Sequence, residues 1–266
     1  MQQQVVLAIY RAPRFSPNSV QVDRDIMDAV CERLEAHSFL IEKWLETELE
    51  DEPDLLSTSA VLTMGRLPHT LRMLETAPCR VINSSASITL CCHRSALNDL
   101  LRTHHLRVAP QEGSNGYWLK RGAGSAESID DVVFCADRRQ LSVQMQRFRE
   151  RGMTDLDISA HQLGDVVKFY GVAGTSFFRH YYPSDGGRSK FGQEGVNGIA
   201  HHYNFDVAAL QAETTKVAML TGALVYGGDA VVHADGSFHL IDFNDWPSFS
   251  RCREDAAEAI ASLIYK

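Results

Sequence analysis

Short unbroken apolar runs alternate with segments of helical period over the first third of the chain. QVVLAIY at 4 to 10 reads as a buried strand and RAPRFSPNSV as a proline-bearing loop. Residues 23–36 predict a helix with Ile26, Val30 and Leu34 on one face. SFLIEKW is the next apolar run, SAVLTMGR a strand, LPHTLRMLE a helix and CRVIN a strand ending at Asn83. Strand and helix in alternation make the pattern of a parallel sheet with covering helices. From about residue 86 the rhythm changes. SASITLCC and SALNDLLRTHH are helical, YWLKR is a strand, RGAGSAE a glycine-containing turn, DDVVFCA a strand, and 139–151 a charged helix. DLDISAHQ, DVVKFYGV and TSFFRHYY follow with short breaks and predict an antiparallel meander. Residues 183–204 are glycine-rich without apolar period, which marks a functional or a disordered loop. A helix over 206–221, the strand LVYGGDAVV, the turn HADGS and the strand FHLIDFN come next. The last element is an amphipathic helix from about residue 251, with Ala256, Ile260, Leu263 and Ile264 on one face.

Composition narrows the picture without naming a chemistry. The 266 residues are 44% hydrophobic and 23% charged, ordinary for a globular chain of one large domain or two to three small ones. A formal net charge of −8 argues against wholesale binding to nucleic acid or an acidic membrane, since both need a basic footprint. The first residues lack a leader pattern, and no apolar run approaches the roughly 18 residues of a bilayer span. A soluble, cytoplasmic protein is the expectation. The cysteines at 31, 79, 91, 92, 135 and 252 follow no C-x-x-C or histidine-ladder spacing. They are expected to be reduced and mostly buried, and no zinc site is predicted.

The chemistry begins at HLIDFNDWPSF, residues 239 to 249. Strand alternation puts Ile241 and Phe243 on one face and Asp242 with Asn244 on the other. A carboxylate and an amide oxygen side by side suit a hard cation such as Mg²⁺; the alternative is a turn in which Asp242 caps backbone. Asp229, thirteen residues earlier in the preceding strand, can reach the same point across a tight hairpin. Such a site expects phosphates. G-x-x-x-x-G-K-S/T does not occur, and GAGSAE at 122 to 127 lacks the third glycine of a dinucleotide fingerprint. What remains is Lys120, at a strand end before the small-residue turn, and Lys168 inside another strand. Each is either a phosphate ligand or an edge-strand lysine that discourages aggregation.

This order of a strand lysine, a glycine loop, a β segment with an inner lysine, then strand-Asp, hairpin and strand-Asp-x-Asn resembles the ATP-grasp superfamily. The D-alanine ligase and ribosomal-protein-modifying glutamate ligase branches are the comparison. The resemblance covers roughly residues 93–266. It implies an α/β (α+β) class, with a parallel α/β domain over 1–92 before a two-lobed ATP-grasp fold. The small lobe with its flap would be 93–160 and the lobe with the metal site 161–266. It also implies ATP with Mg²⁺, or Mn²⁺, as cofactors. Lys120 would touch the α and β phosphates beneath a flap carrying Gly122, Gly124 and Ser125. ISAHQLGD would be the hinge at the adenine, with His161 in it and Asp165 reaching the ribose, and Lys168 would add a second phosphate contact. Asp229, Asp242 and Asn244 match the Mg²⁺ ligands. Arg179 is either a ligand of the transferred phosphoryl group or a structural ion pair. Loop 183–204, with Arg188, Lys190, His201 and His202, would close over the acceptor, although the histidines read equally as surface residues. Two departures stand out: Tyr226, Gly227 and Gly228 occupy the place where these ligases often carry an arginine, and Asp242 stands where many have Glu.

The activity implied is an ATP-dependent carboxylate–amine ligase acting through an acyl phosphate on small molecules or peptides. A small-molecule kinase of the inositol-phosphate type would need the same lysines and Mg²⁺, and a nucleotide-binding module without turnover is the third reading. The implied partners are a carboxylate and an amine substrate, with no nucleic acid or membrane, and the N-terminal domain is compatible with a homodimer.

Overall fold

In the computed structural model, which describes residues 4–16, 19–49, 53–124, 128–185 and 196–265, Val5–Tyr10 (β1) lies inside a parallel sheet. Its neighbours are Leu40–Leu45 (β2) and Thr58–Thr63 (β3), and Arg80–Ile82 (β4) pairs with β3 to complete the order β2-β1-β3-β4. The unbroken apolar sequence of β1 has a cause. Val6, Ala8 and Tyr10 pack with Ile26, Met27 and Val30 of Val20–Ala36 (α1), whereas Leu7 and Ile9 pack with Val61, Leu74 and Ile88. Both faces of the strand are covered, so neither register carries polar residues. Burying each such Leu or Ile side chain contributes about 1.5–3 kcal/mol. The opposite face is covered by Pro68–Glu75 (α2) and Ser85–Cys92 (α3), which bring Leu74 and Ile88. α1 begins three residues before the predicted start, because the Asp23 N–H already bonds the Ser19 carbonyl at 3.0 Å.

After Arg94–Thr103 (α4) the chain builds a small antiparallel sheet of order β6-β5-β7: Tyr117–Arg121 (β5), Val132–Cys135 (β6) and Leu156–Ala160 (β7). Arg138–Glu150 (α5) covers one face, packing Leu141 and Phe148 on Tyr117 and Leu119. Its start is fixed by Asp137, whose side chain accepts the Gln140 N–H at 2.8 Å. A second antiparallel sheet, of order β11-β10-β8-β9, contains Asp165–Val172 (β8), Phe178–Tyr181 (β9), Val225–Val232 (β10) and Phe238–Asp245 (β11). Val207–Thr221 (α6) lies on its outer face, with Leu210 and Val217 against Val167, Phe169 and Ala230. Arg253–Tyr265 (α7) returns to pack Ala256 and Ile260 in the same cluster as the α1 residues. Asn83, fully buried, ties the parallel sheet to this one: it donates to the Val225 carbonyl at 2.7 Å and accepts from the Leu224 and Val225 N–H groups.

Two expectations are corrected here. The predicted meander does not form, because β7 pairs with β5 while β8 pairs with β9 and β10. The short break at 161–164 is the joint between two sheets. Gly164 makes that crossing feasible: its φ is 148°, and a Cβ there would sit 2.2 Å from the Val232 carbonyl oxygen. A strand's apolar pattern says which face is buried and nothing of its partner. The second correction concerns β11. Its register against β10 shifts between Asp229 and Ala230, so Asp229 faces Asp242, Ala230 faces Leu240, and Ile241 is an extra residue. Leu240 and Phe243 both enter the α6 core, and Ile241 does not share their face. The bulge changes the phase of the strand and so presents Asp242 and Asn244 away from that core.

Among the described residues no helix is long and apolar enough to cross a membrane. Cys79 and Cys92 are half-buried, and the other four cysteines are buried.

Candidate active site

The inner faces of the two antiparallel sheets enclose a cavity of about 370 Å³, closed in part by the loops that leave β1 and β3. Alternation along β8 explains how charge enters it. Val167 and Phe169 face α6, and Val166, Lys168 and Tyr170 line the cavity. In β5, Tyr117 and Leu119 face α5 whereas Trp118 and Lys120 line the cavity. Neither lysine is on an edge: β8 lies between β10 and β9, and β5 between β6 and β7. The edge-strand reading therefore does not hold for Lys120 or Lys168.

Lys120 is buried, and its Nζ donates to the carbonyl of the bulge residue Ile241 at 2.9 Å. Burial lowers its pKa, with Asp242 acting in the opposite direction. Lys168 Nζ lies 3.0 Å from Asp229 Oδ1, its register partner on β10. Asn244 Nδ2 donates to Asp242 Oδ2 at 2.9 Å, and Arg94 Nη2, from the start of α4, approaches Asp242 Oδ1 at 3.4 Å. Burial would raise the Asp242 carboxyl, but Arg94, Lys120, the Asn244 amide and Lys168 outweigh it and hold the group at about 2. Asp229, Asp242 and Asn244 thus present carboxylate and amide oxygens on neighbouring positions of one hairpin, a donor set that fits a hard divalent cation. It contains two carboxylates, and among the described residues no group of three His, Cys, Asp or Glu side chains forms a metal site.

The joint between the sheets carries the next group. Trp118 Nε1 donates to His161 Nδ1 at 3.1 Å, and burial lowers the His161 pKa, which keeps the ring neutral and able to accept that bond. Gln162 lines the cavity beside it. The chain around the joint is held from a distance by Asn197, whose Nδ2 donates to the carbonyls of Gln162 and Gly164 at 2.8 and 3.0 Å.

Of the residues expected from the sequence, Lys120, Gly124, His161, Lys168, Asp229, Asp242 and Asn244 line this one cavity. Gly122 is not among the lining residues; its N–H bonds the Asp155 carbonyl at 2.9 Å, and Asp155 Oδ1 is only 2.3 Å from where a Cβ would lie. Asp165 does not reach the cavity. Both its oxygens are engaged, by the N–H groups of His201 at 2.7 Å and Tyr203 at 2.9 Å, so it anchors the loop after β9 where a ribose contact was expected. Burial acts to raise the Asp165 pKa, and those two N–H groups bring it below the ordinary value. For Arg179 the ion-pair alternative is the one observed. It pairs with Asp255 at 2.8 Å and stacks on Phe177 in an outer groove shared with Arg33 and Arg80. Ser125, Arg188 and Lys190 lie outside the described residues. His201 and His202 are exposed, which matches the surface reading.

Sequence reasoning missed Arg94, Arg11, Asp23, Arg66 and Asp245, all of which line the cavity. Arg94 follows a helix break at His93, and Arg11 and Arg66 each directly follow a β strand or its short extension. A cation just past the carboxyl end of a parallel strand is the signal that was available. The missing arginine near Asp229 also has a local reason. A Cβ on Gly227 would lie 2.7 Å from Pro247 Cγ, and one on Gly228 2.2 Å from the Asp242 carbonyl oxygen.

No protein-family model matches the chain, and no curated protein matches it in sequence. Solved structures do. D-alanyl-alanine synthetase A from Vibrio cholerae superposes with a TM-score of 0.70 at 10% identity, over 100% of this chain and 98% of that one. An ATP-grasp RimK domain protein from Sphaerobacter thermophilus gives 0.64 at 17%, over 98% and 100%. A D-alanine–D-alanine ligase from Bacillus anthracis complexed with ATP gives 0.61 at 12%, over 98% and 93%.

Proposed function

We propose that this chain, which has the ATP-grasp fold, is an ATP- and Mg-dependent carboxylate–amine ligase working through an acyl phosphate. The observation that carries the reading is the convergence of Lys120, Lys168, Asp229, Asp242 and Asn244, from four strands of two sheets, on one cavity. Neighbours of the fold are ligases, and one of them is complexed with ATP. In this reading residues 93–160 and 161–266 are the two lobes that hold the nucleotide, and 1–92 is the preceding domain.

Asp229, Asp242 and Asn244 would hold Mg²⁺, which supplies charge neutralisation at the phosphates when bound. Lys120 and Lys168 add positive charge where the γ-phosphoryl group leaves ADP. A substrate carboxylate oxygen bonds to the γ phosphorus and the β–γ bridging P–O bond breaks. An amine nitrogen then bonds to the acyl carbon, phosphate leaves, and the amine proton passes to phosphate or water. Arg94, beside Asp242, supplies the cation for which Gly227 leaves no space. His161, held by the Trp118 Nε1–H and kept neutral by burial, would offer its ring to the adenine. This scheme needs no Ser, Cys or His nucleophile, since the work is positioning and charge stabilisation.

The test is phosphorus NMR of the purified protein with Mg-ATP and a pooled metabolite extract. ADP with inorganic phosphate, appearing only with extract, is expected. ADP with a new phosphomonoester would replace the ligase by a kinase, and absence of any extract-dependent ADP would overturn both.

A further inference from the structure

Arg94 enters the cavity from the first position of α4, and its contacts there are long. Its guanidinium donates from Nη1 to the Arg121 carbonyl at 3.2 Å and from Nε and Nη2 to Asp242 Oδ1 at 3.4 Å each. Contacts of this length tolerate little further misalignment. Whether they are made depends on where the Arg94 backbone is fixed.

Both chain neighbours of Arg94 are held by one carboxylate. Asp155, the residue before β7, accepts the Ser95 hydroxyl on Oδ2 at 3.0 Å, and His93 Nε2 lies 3.2 Å from the same oxygen. The backbone repeats the connection. The Ser95 N–H donates to the Gly122 carbonyl at 3.4 Å, the Gly122 N–H donates to the Asp155 carbonyl, and His93 pairs with Ala123 in an isolated antiparallel bridge. Asp155 is not among the lining residues, and its side chain is 36% exposed, with that of His93 41% exposed. A pair this open to solvent contributes little to the stability of the fold. What its contacts share is that they flank a cation of the site.

We propose that Asp155 is a positioning residue: through Ser95 and His93 it aims Arg94 at the point between the Arg121 carbonyl and Asp242. The kinetic consequence rests on the ligase reading, in which Arg94 supplies a cation beside Asp242. Displacing such a group by about 1 Å can slow a reaction by as much as about 10²-fold.

The test is a double-mutant cycle between Asp155→Ala and Arg94→Met, read as extract-dependent ADP release from Mg-ATP. Asp155→Ala should slow the rate at saturating ATP by about tenfold and change the KM for ATP by less than about twofold. In the Arg94→Met background the same substitution should have no further effect, because the side chain it aims is gone. Asp155→Asn keeps an acceptor for the Ser95 hydroxyl and should recover part of the rate. Ser95→Ala supplies a second cycle with the same expected non-additivity if Asp155→Ala does not fold. A parental rate in these variants, or an equal fold loss in both backgrounds, overturns the positioning role and leaves the ligase reading standing. Absence of extract-dependent ADP from the parent protein overturns the ligase reading instead. The crystal structure of Asp155→Ala or Ser95→Ala then decides the positioning role by itself: Arg94 turned away from the Arg121 carbonyl and Asp242 is expected, and an unmoved guanidinium overturns it.

Discussion

The cavity has two kinds of wall, and both concentrate buried charge. One is made of strand faces: Lys120, Lys168, Asp229, Asp242 and Asn244 project from β5, β8, β10 and β11. The other is made of strand exits and a helix start: Arg11 after β1, Asp23 in the first turn of α1 and Arg66 after β3, joined by Asp245 at the end of β11. On the strand faces an alternating core holds the charges in place from behind, and the charged groups are left a fifth or more exposed at Lys168, Asp229 and Asp242. At the strand exits the charges hold one another, with Arg11 and Asp23 each 8% exposed. The first arrangement can lose a charge and keep its backbone. The second cannot, because an ion pair stripped of one member leaves the other buried and unpaired.

Substitutions should separate the two walls. Asp242→Asn is expected to cut Mg-ATP turnover by about 10²–10³-fold, measured by ADP release, with the native circular-dichroism spectrum retained. Turnover within twofold of the parent would remove Asp242 from the chemistry. Arg11→Met should instead destabilise the fold by about 3–5 kcal/mol in urea denaturation, and adding Asp23→Leu should recover part of that loss. If the double variant is less stable than the single one, the pair is not what the second wall rests on.

Two smaller effects concern the joint between the sheets. Gly164→Ala should cost about 1–3 kcal/mol, since the residue has a positive φ and its Cβ would press on the Val232 carbonyl. An unchanged urea midpoint would mean that the joint shifts freely. The last is a pH effect. Burial lowers the pKa of His161, His180 and His239, with His233 and Arg107 adding to it at His239. The unfolded chain then binds protons more readily than the folded one, so stability is full above about pH 6.5 and declines as pH falls below it. The slope is at most ~1.4 kcal/mol per pH unit per histidine. His161→Gln should flatten this slope, and a slope unaffected by that change would assign it to the other two residues.

The same contrast decides what could be read in advance. The strand-face residues were legible because a charge breaks an otherwise apolar β run, as Lys168 does among Val166, Val167, Phe169 and Tyr170. The parallel sheet was legible from QVVLAIY for the complementary reason, an apolar run with no period at all. The second wall was not, since Arg11 and Arg66 lie in loops where any polar residue is unremarkable, and their meeting depends on which strands become neighbours. Asp165 misled in the opposite direction: it has the right residue type, and the 201–203 backbone already accounts for it, just as Asp255 accounts for Arg179 on its ion-pair reading. Strand pairing was the weakest inference, which is why β7 was grouped with β8 and β9.

The extra residue in β11 makes the location of the chemistry a matter of parity. Before Ile241 the residues that face α6 are even-numbered, Phe238 and Leu240; after it the α6-facing residue is odd-numbered, Phe243, and Asp242 and Asn244 keep their even numbers on the cavity side. Straightening the strand through 240–242 without removing a residue would exchange the two sets, driving Asp242 and Asn244 into the helix-facing core and Phe243 into the cavity, whereas deleting Ile241 would let Leu240 and Asp242 alternate directly and keep both sets in place. Changing the length of the 233–237 turn would leave the phase of β11 beyond Ile241 untouched.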